Sequence, residues 1–276
     1  MNLNNINLTT LMEQRKNQFT KSELKLYHYI VNHFEKIMYQ SLTEMANACQ
    51  VGEATVLRFC RKLGYKGYQE FKLSVARELS FHEEKKQDET YVDKVKNNIL
   101  QTVEDTYKLV DSQSLQKAVD EIFYAESVIV YGVSSSGIAG LDMQNRLMRI
   151  GLNIEAIVDS HNQIIRANSI NNKSVVIAIS LTGSTKDIID AIQISKKNGA
   201  TIISITNYTE SPLTEFSDIV LLTSAKENPL DSGALISKIS QLYIIDLLCT
   251  GVSMKNYKQS EQTKRKIAET ISNKLY

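Results

Sequence analysis

This chain has no tryptophan, only two prolines in 276 residues, three cysteines and four histidines. So few prolines exclude Pro-rich linkers and favour helices joined by short turns. Cys49, Cys60 and Cys249 form no C-x-x-C pair and are odd in number. That argues against a disulfide framework or a thiolate zinc site, and for buried, reduced thiols. Neither a metal nor a cofactor is expected. No run approaches 18 apolar residues, and the opening MNLNNINLTTLMEQRK lacks the basic-then-apolar plan of a signal peptide. A soluble, cytoplasmic protein without membrane association is the expectation. Strong net charge is missing as well: 32 Lys and Arg stand against 31 Asp and Glu. The balance is uneven along the chain. Residues 1–80 carry 11 basic against 7 acidic side chains, and residues 127–250 carry 9 against 11. A basic head on a mildly acidic body points to a polyanion partner for the head.

What is present changes texture once. Up to about residue 80 the periodicity is helical, with TKSELKLYHYIVNHF and SLTEMANACQ each opening on a capping box: Thr20 with Glu23, Ser41 with Glu44. EATVLRFCRKL and GYQEFKLSVARELSF read as two more helices. The charged segment HEEKKQDE contains no apolar residue. Residues 1–80 are therefore expected to form one domain, 81–91 a linker and 92–276 a second domain. Helices over about 92–110 and 114–125 lead into that second part. From residue 127, SVIVYG, NIEAIV, SVVIAIS, TIISIT and DIVLLT are short β-branched runs bounded by turn residues, with helical patterns between the first four. Strands alternating with helices predict an α/β domain: three layers, α/β/α, around a parallel sheet of about five strands. The head is predicted to be all-α.

In the head, LTEMANACQVGEATVLRFCRKL has helix-turn-helix spacing, with Ala46 at the close approach, Val51 in the turn, and Val56 and Phe59 inward. On a helical wheel Ala54, Val56, Leu57, Cys60 and Leu63 share one side. Thr55, Arg58 and Lys62 fall within about 60° of one another on the other. A hydroxyl and two cations suit a helix laid in a major groove of duplex DNA. Lys66, Tyr68 and Gln69 follow at the next helix start, where backbone N–H groups also meet phosphate. Gln50 stands where such motifs favour glycine, and Gly52 where they favour a hydroxyl cap.

In the second part, two strand ends are rich in hydroxyls: YGVSSSGIAG and SLTGSTKD. Ligands of open parallel sheets sit beyond the carboxyl ends of the strands. Both segments feed helices, so backbone N–H groups and the positive helix end point at whatever binds there. Gly132, Gly137 and Gly183 allow close backbone approach. Ser134, Ser135, Ser180, Thr182, Ser184 and Thr185 supply short donors. This pattern is chemistry for a phosphate monoester. There is no G-x-x-x-x-G-K-[ST], and GVSSSG lacks the middle glycine of a dinucleotide fingerprint.

These motifs carry a resemblance. The second half is similar to a sugar isomerase (SIS) domain, whose phosphate loop reads roughly S-x-S-G-x-T. Here it is Ser180-Leu-Thr182-Gly183-Ser184-Thr185. The whole chain, from about residue 5 to 250, resembles the RpiR family of bacterial transcription regulators, which join a helix-turn-helix head to a SIS domain. The family's head motif appears as VGEATVLRFCRKLGYKGYQEFK, with Gly52 for serine. The resemblance implies a regulator of sugar or amino-sugar catabolism genes that binds an operator and a phosphorylated sugar, either an N-acetyl amino-sugar 6-phosphate or a hexose 6-phosphate. His161 follows a strand end and can reach such a ligand. Glu227 and Lys238 flank the start of the last long helix, a region that completes the sugar site in related SIS domains, often across a dimer interface. SIS domains also occur in isomerases and etherases. A DNA-binding head has no use in an isomerase, so sensing is expected over turnover. The closing helix is apolar over more than one face, which predicts a homodimer.

Overall fold

The computed structural model describes residues 8–83, 90–225 and 235–272. It divides into two compact units, with the boundary between Asn97 and Asn98. Of the segment expected as a linker, residues 84–89 lie outside the described residues.

The head contains helices α1 (Leu8–Arg15), α2 (Lys21–Asn32), α3 (Phe34–Ile37), α4 (Leu42–Ala48), α5 (Glu53–Lys62) and α6 (Tyr68–Glu83). Both capping boxes form. Glu23 N–H donates to Thr20 Oγ1 at 3.3 Å and Thr20 N–H to Glu23 Oε2 at 2.7 Å. The Ser41–Glu44 pair is closed at 3.0 Å in both directions. Leu26, Ile30, Ile37, Met45, Phe59 and Phe71 meet in one core. The turn between α4 and α5 is closed by Val51 N–H on Ala46 O, and Ala46 is buried, as its small size allows. Gln50 stands there with φ 53°, a left-handed backbone that glycine adopts at less cost.

The second unit is built around five parallel strands: β1 (Ser127–Tyr131), β2 (Ile154–Ile157), β3 (Ser174–Ile179), β4 (Thr201–Thr206) and β5 (Ile219–Leu222). Their order is β2-β1-β3-β4-β5. The helices are α7 (Tyr91–Leu109), α8 (Ser112–Tyr124), α9 (Ser134–Met148), α10 (Ser160–Ala167), α11 (Lys186–Lys197), α12 (Leu235–Lys255) and α13 (Tyr257–Ser272), α7 beginning before the boundary. Alternation along the strands sorts the two faces. Val128, Val130, Val175 and Ile177 face Ala118, Met143 and Ile245 of α8, α9 and α12. Ile129, Tyr131, Val176 and Ala178 face Ala167, Ile188 and Ile192 of α10 and α11. The result is the three-layer domain that the strand–helix alternation predicts.

Helix α12 is long and apolar enough to cross a membrane by length and composition. Here Ser240, Gln241, Ile244, Ile245 and Leu248 are among its buried residues, and it packs on α8 and α9 as a core helix. The three cysteines are free and buried, and burial pushes the Cys60 and Cys249 thiols up to about 12.

Candidate functional site

The head presents less of its expected face than the helical wheel predicts. Arg58 is exposed and donates to Thr55 Oγ1 at 3.2 Å. Lys62 is turned inward. Its Nζ donates to Glu23 Oε2 at 2.8 Å and to Gln18 O at 2.7 Å, and sits over the Phe19 ring. Burial works to raise the Glu23 carboxyl, but hydrogen bonds from Lys62 and Thr20 outweigh it and hold its pKa below 4.5. Arg15 donates to the Lys62 carbonyl, tying the end of α5 to α1. Ala54, expected on the inward side, is exposed, and so is Arg61. The outward face of α5 therefore centres on Ala54, Arg58 and Arg61. That centre lies about 65° round the helix from the mean of Thr55, Arg58 and Lys62. At about 100° per residue Ala54 stands opposite buried Leu63, so the buried side alone places it outward; Lys62 turns to α2, where Glu23 captures it. Lys66 and Gln69 are exposed at the start of α6, and Lys66 N–H donates to Glu70. Gly52 caps α5 with no side-chain bond, leaving first-turn N–H groups open.

In the second unit the chain runs from β1 to β2 on one side and to β3 on the other, so a crevice opens between the carboxyl ends of β1 and β3. Both hydroxyl loops lie there. Gly132 follows β1, and a Cβ on it would stand 2.8 Å from the Ser136 carbonyl. Ser134 begins α9 with φ 51°, strained for a side chain that is not glycine. Ser135 Oγ is buried without a partner. After β3, Ser180 is buried and its Oγ lies 2.9 Å from Thr185 Oγ1. Thr182 Oγ1 accepts from Ser184 N–H at 3.3 Å. Gly183 has φ 60°, and a Cβ there would stand 2.2 Å from Ser211 Oγ. Helices α9 and α11 both start without a side-chain cap. Two sets of unspent first-turn N–H groups, two positive helix ends and a row of hydroxyls thus converge on neighbouring strand ends, an arrangement that binds an anion.

His161 is exposed in the first turn of α10, beyond β2 on the outer side of this crevice. Lys238 is half-buried in the first turn of α12. Glu227 lies outside the described residues.

Sequence reasoning missed the groups that hold the loops. Gln163 of α10 donates to Gly132 O at 3.2 Å and to Ile157 O at 2.7 Å. Gln241 of α12 donates to Ser136 Oγ at 3.0 Å. Asn207 N–H donates to Leu181 O, and Leu213 N–H to Gly183 O. A polar pair at the end of an apolar strand, Thr206-Asn207, was a usable signal; an isolated glutamine on a helix was not.

Two family models match: the helix-turn-helix domain of the rpiR family over residues 6–82 and the SIS domain over 121–251. A helix-turn-helix-type transcriptional regulator of Clostridium perfringens, itself uncharacterised, is 34% identical over 95% of this chain and 98% of its own. The chain belongs to the RpiR family. It is a DNA-binding transcriptional regulator with a SIS sugar-phosphate-binding domain. The regulator HexR of Pseudomonas aeruginosa is 28% identical over 96% of this chain and 95% of its own. Among solved structures, the Vibrio vulnificus NanR protein complexed with ManNAc-6P superposes with a TM-score of 0.89, at 30% identity, over 98% of this chain and 99% of that one.

Proposed function

We propose that this RpiR-family regulator represses genes of sugar or amino-sugar catabolism and releases its operator when an N-acetyl amino-sugar 6-phosphate fills the β1/β3 crevice. One observation carries the reading: α9 and α11 aim uncapped first turns, with Ser134, Ser135, Ser180, Thr182 and Thr185, at one place. The amino-sugar is favoured over a hexose 6-phosphate by the whole-chain likeness to NanR with its ManNAc-6P. In this reading Gly132, Gly183 and Ser184 shape the cradle, and His161, Glu227 and Lys238 recognise the sugar. Thr55, Arg58, Arg61, Lys66 and Gln69 meet the DNA. The chain senses and does not turn over its ligand, a role supported by likeness to named regulators along more than nine-tenths of its length. A homodimer is part of the proposal. Ile138, Leu141 and Met148 of α9 are exposed, as is Leu235 of α12, and a two-fold pair suits two half-sites.

Calorimetry with N-acetylmannosamine 6-phosphate, glucose 6-phosphate and unphosphorylated N-acetylmannosamine tests the site. The expected order of affinity is the order given, with the last weaker by about a hundredfold or more. Equal affinity with and without phosphate removes the cradle from the argument. Ligand that tightens operator binding in a mobility shift overturns the repressor reading. Isomerised product that disappears in His161→Ala moves the chain to the enzyme class.

A further inference from the structure

Ser136 stands third in the first turn of α9, inside the hydroxyl loop, and is half-buried. Its Oγ accepts from Gln241 Nε2 at 3.0 Å, and among the described residues that hydroxyl donates no hydrogen bond. Gln241 is 1% exposed, and its Oε1, like Ser135 Oγ, is buried without a partner. A primary amide that donates to a hydroxyl fixes the direction of that hydroxyl's proton, because the oxygen's lone pair is engaged and its hydrogen must turn elsewhere. Leaving the amide oxygen buried and unpaired is costly, and such groups persist where function demands them. The opposite arrangement, with Ser136 donating to Gln241 Oε1, would satisfy that oxygen, leave Nε2 unpaired in its place and consume the proton. The fold presents the orientation that leaves the proton free. It does so across a sequence gap of 105 residues, through a helix that packs along α9.

We propose that Gln241 is a positioning residue of the anion site: by engaging Ser136 Oγ as an acceptor, it turns the serine's proton toward the phosphate held at the start of α9. This rests on the reading of the β1/β3 crevice as a sugar-phosphate site. Gln241 does not itself touch the ligand; it acts through Ser136. Its position on α12, three residues after Lys238, makes the affinity of the crevice depend on where that helix sits.

The test is a double-mutant cycle read by calorimetry with N-acetylmannosamine 6-phosphate. Ser136→Ala removes one hydrogen bond to a charged acceptor and lowers affinity about tenfold to a hundredfold. Gln241→Glu turns the donor into an acceptor, captures the Ser136 proton and matches that loss. Gln241→Met, which keeps length and loses the donor, gives a smaller loss and none beyond Ser136→Ala in the double variant. Thermal midpoints of the ligand-free variants separate folding from binding, and where Gln241→Glu does not fold, the Met cycle alone decides. Wild-type affinity in Gln241→Glu, or additive losses in the double variant, overturns the proposal while leaving the site intact. Wild type that binds none of the phosphorylated sugars overturns the site reading itself.

Discussion

The helices of the head's core and those of the crevice differ at their first turns. In the head, α2 and α4 begin on closed capping boxes, α7 is capped by Thr90 before the boundary, and in the second unit α8 and α10 are capped by Asp111 and Asp159. Helices α9 and α11 begin on Val133 and Thr185 without such a bond. A cap is worth about 1 kcal/mol, so leaving two ends bare at one crevice is a cost that binding an anion recovers. In the head, α5 and α6 also begin after glycines, Gly52 and Gly67, which carry no capping side chain. Capped helices spend their first-turn donors internally, whereas the helix starts proposed to meet phosphate keep them. Cations follow the same division: Lys62 is spent on Glu23, whereas Arg58 and Arg61 stay outside.

The largest effect is expected at the crevice. Gly183→Ala places a Cβ against buried Ser211 and forces a side chain into a left-handed backbone, so the β3 loop must move. Affinity for N-acetylmannosamine 6-phosphate should fall by more than about a hundredfold, while the mobility shift on operator DNA without ligand persists. A Gly183→Ala protein that binds ligand normally would break the link between the bare start of α11 and the anion.

Next comes the Ser180–Thr185 pair. The two hydroxyls share one hydrogen bond, so at most one proton of the pair is free for the ligand. Ser180→Ala and Thr185→Ala should each cost about 1.5–3 kcal/mol of binding, and the double variant little more than the worse single one. Simple additivity in calorimetry would show that the hydroxyls act separately.

In the head, the comparison between spent and unspent cations can be tested directly. Arg58→Ala should weaken operator binding by about 1–3 kcal/mol with an unchanged thermal midpoint. Lys62→Ala should do the reverse. It strands the Glu23 carboxylate, lowers head stability by about 1–3 kcal/mol, and leaves the salt slope of DNA binding unchanged. The pH dependence has a definite sign. Glu23 has its pKa lowered on folding, so its contribution is complete above the ordinary value of 4.5 and is lost as pH falls through the lower folded value. Glu23→Gln should flatten the loss of stability below about pH 4.5 in acid unfolding monitored by circular dichroism.

The smallest expected effect is a gain. Gln50→Gly relieves a left-handed residue in the helix-turn-helix turn, worth about 1 kcal/mol before the greater freedom of glycine in the unfolded chain is subtracted. Urea titration should show a midpoint raised slightly or unchanged, and a marked fall would mean that the Gln50 side chain contributes to the head.

Much of this molecule was legible without coordinates. The helices around both capping boxes, the five strands and both hydroxyl loops follow from periodicity, caps and turn residues. These signals are local: 3.6- and 2-residue repeats and short side-chain-to-backbone bonds act within a few residues. The parallel sheet also followed, because strands joined by helices have few other solutions. Tertiary structure decided the rest. Nothing near Lys62 in sequence says that Glu23, 39 residues away, captures it. Nor does any local signal join Gln241 to Ser136 or Gln163 to Gly132, since each isolated glutamine could equally face water. Residue types and local spacing determined which chemistry this chain carries; only packing between distant segments decided which donors it spends on itself and which it leaves for a ligand.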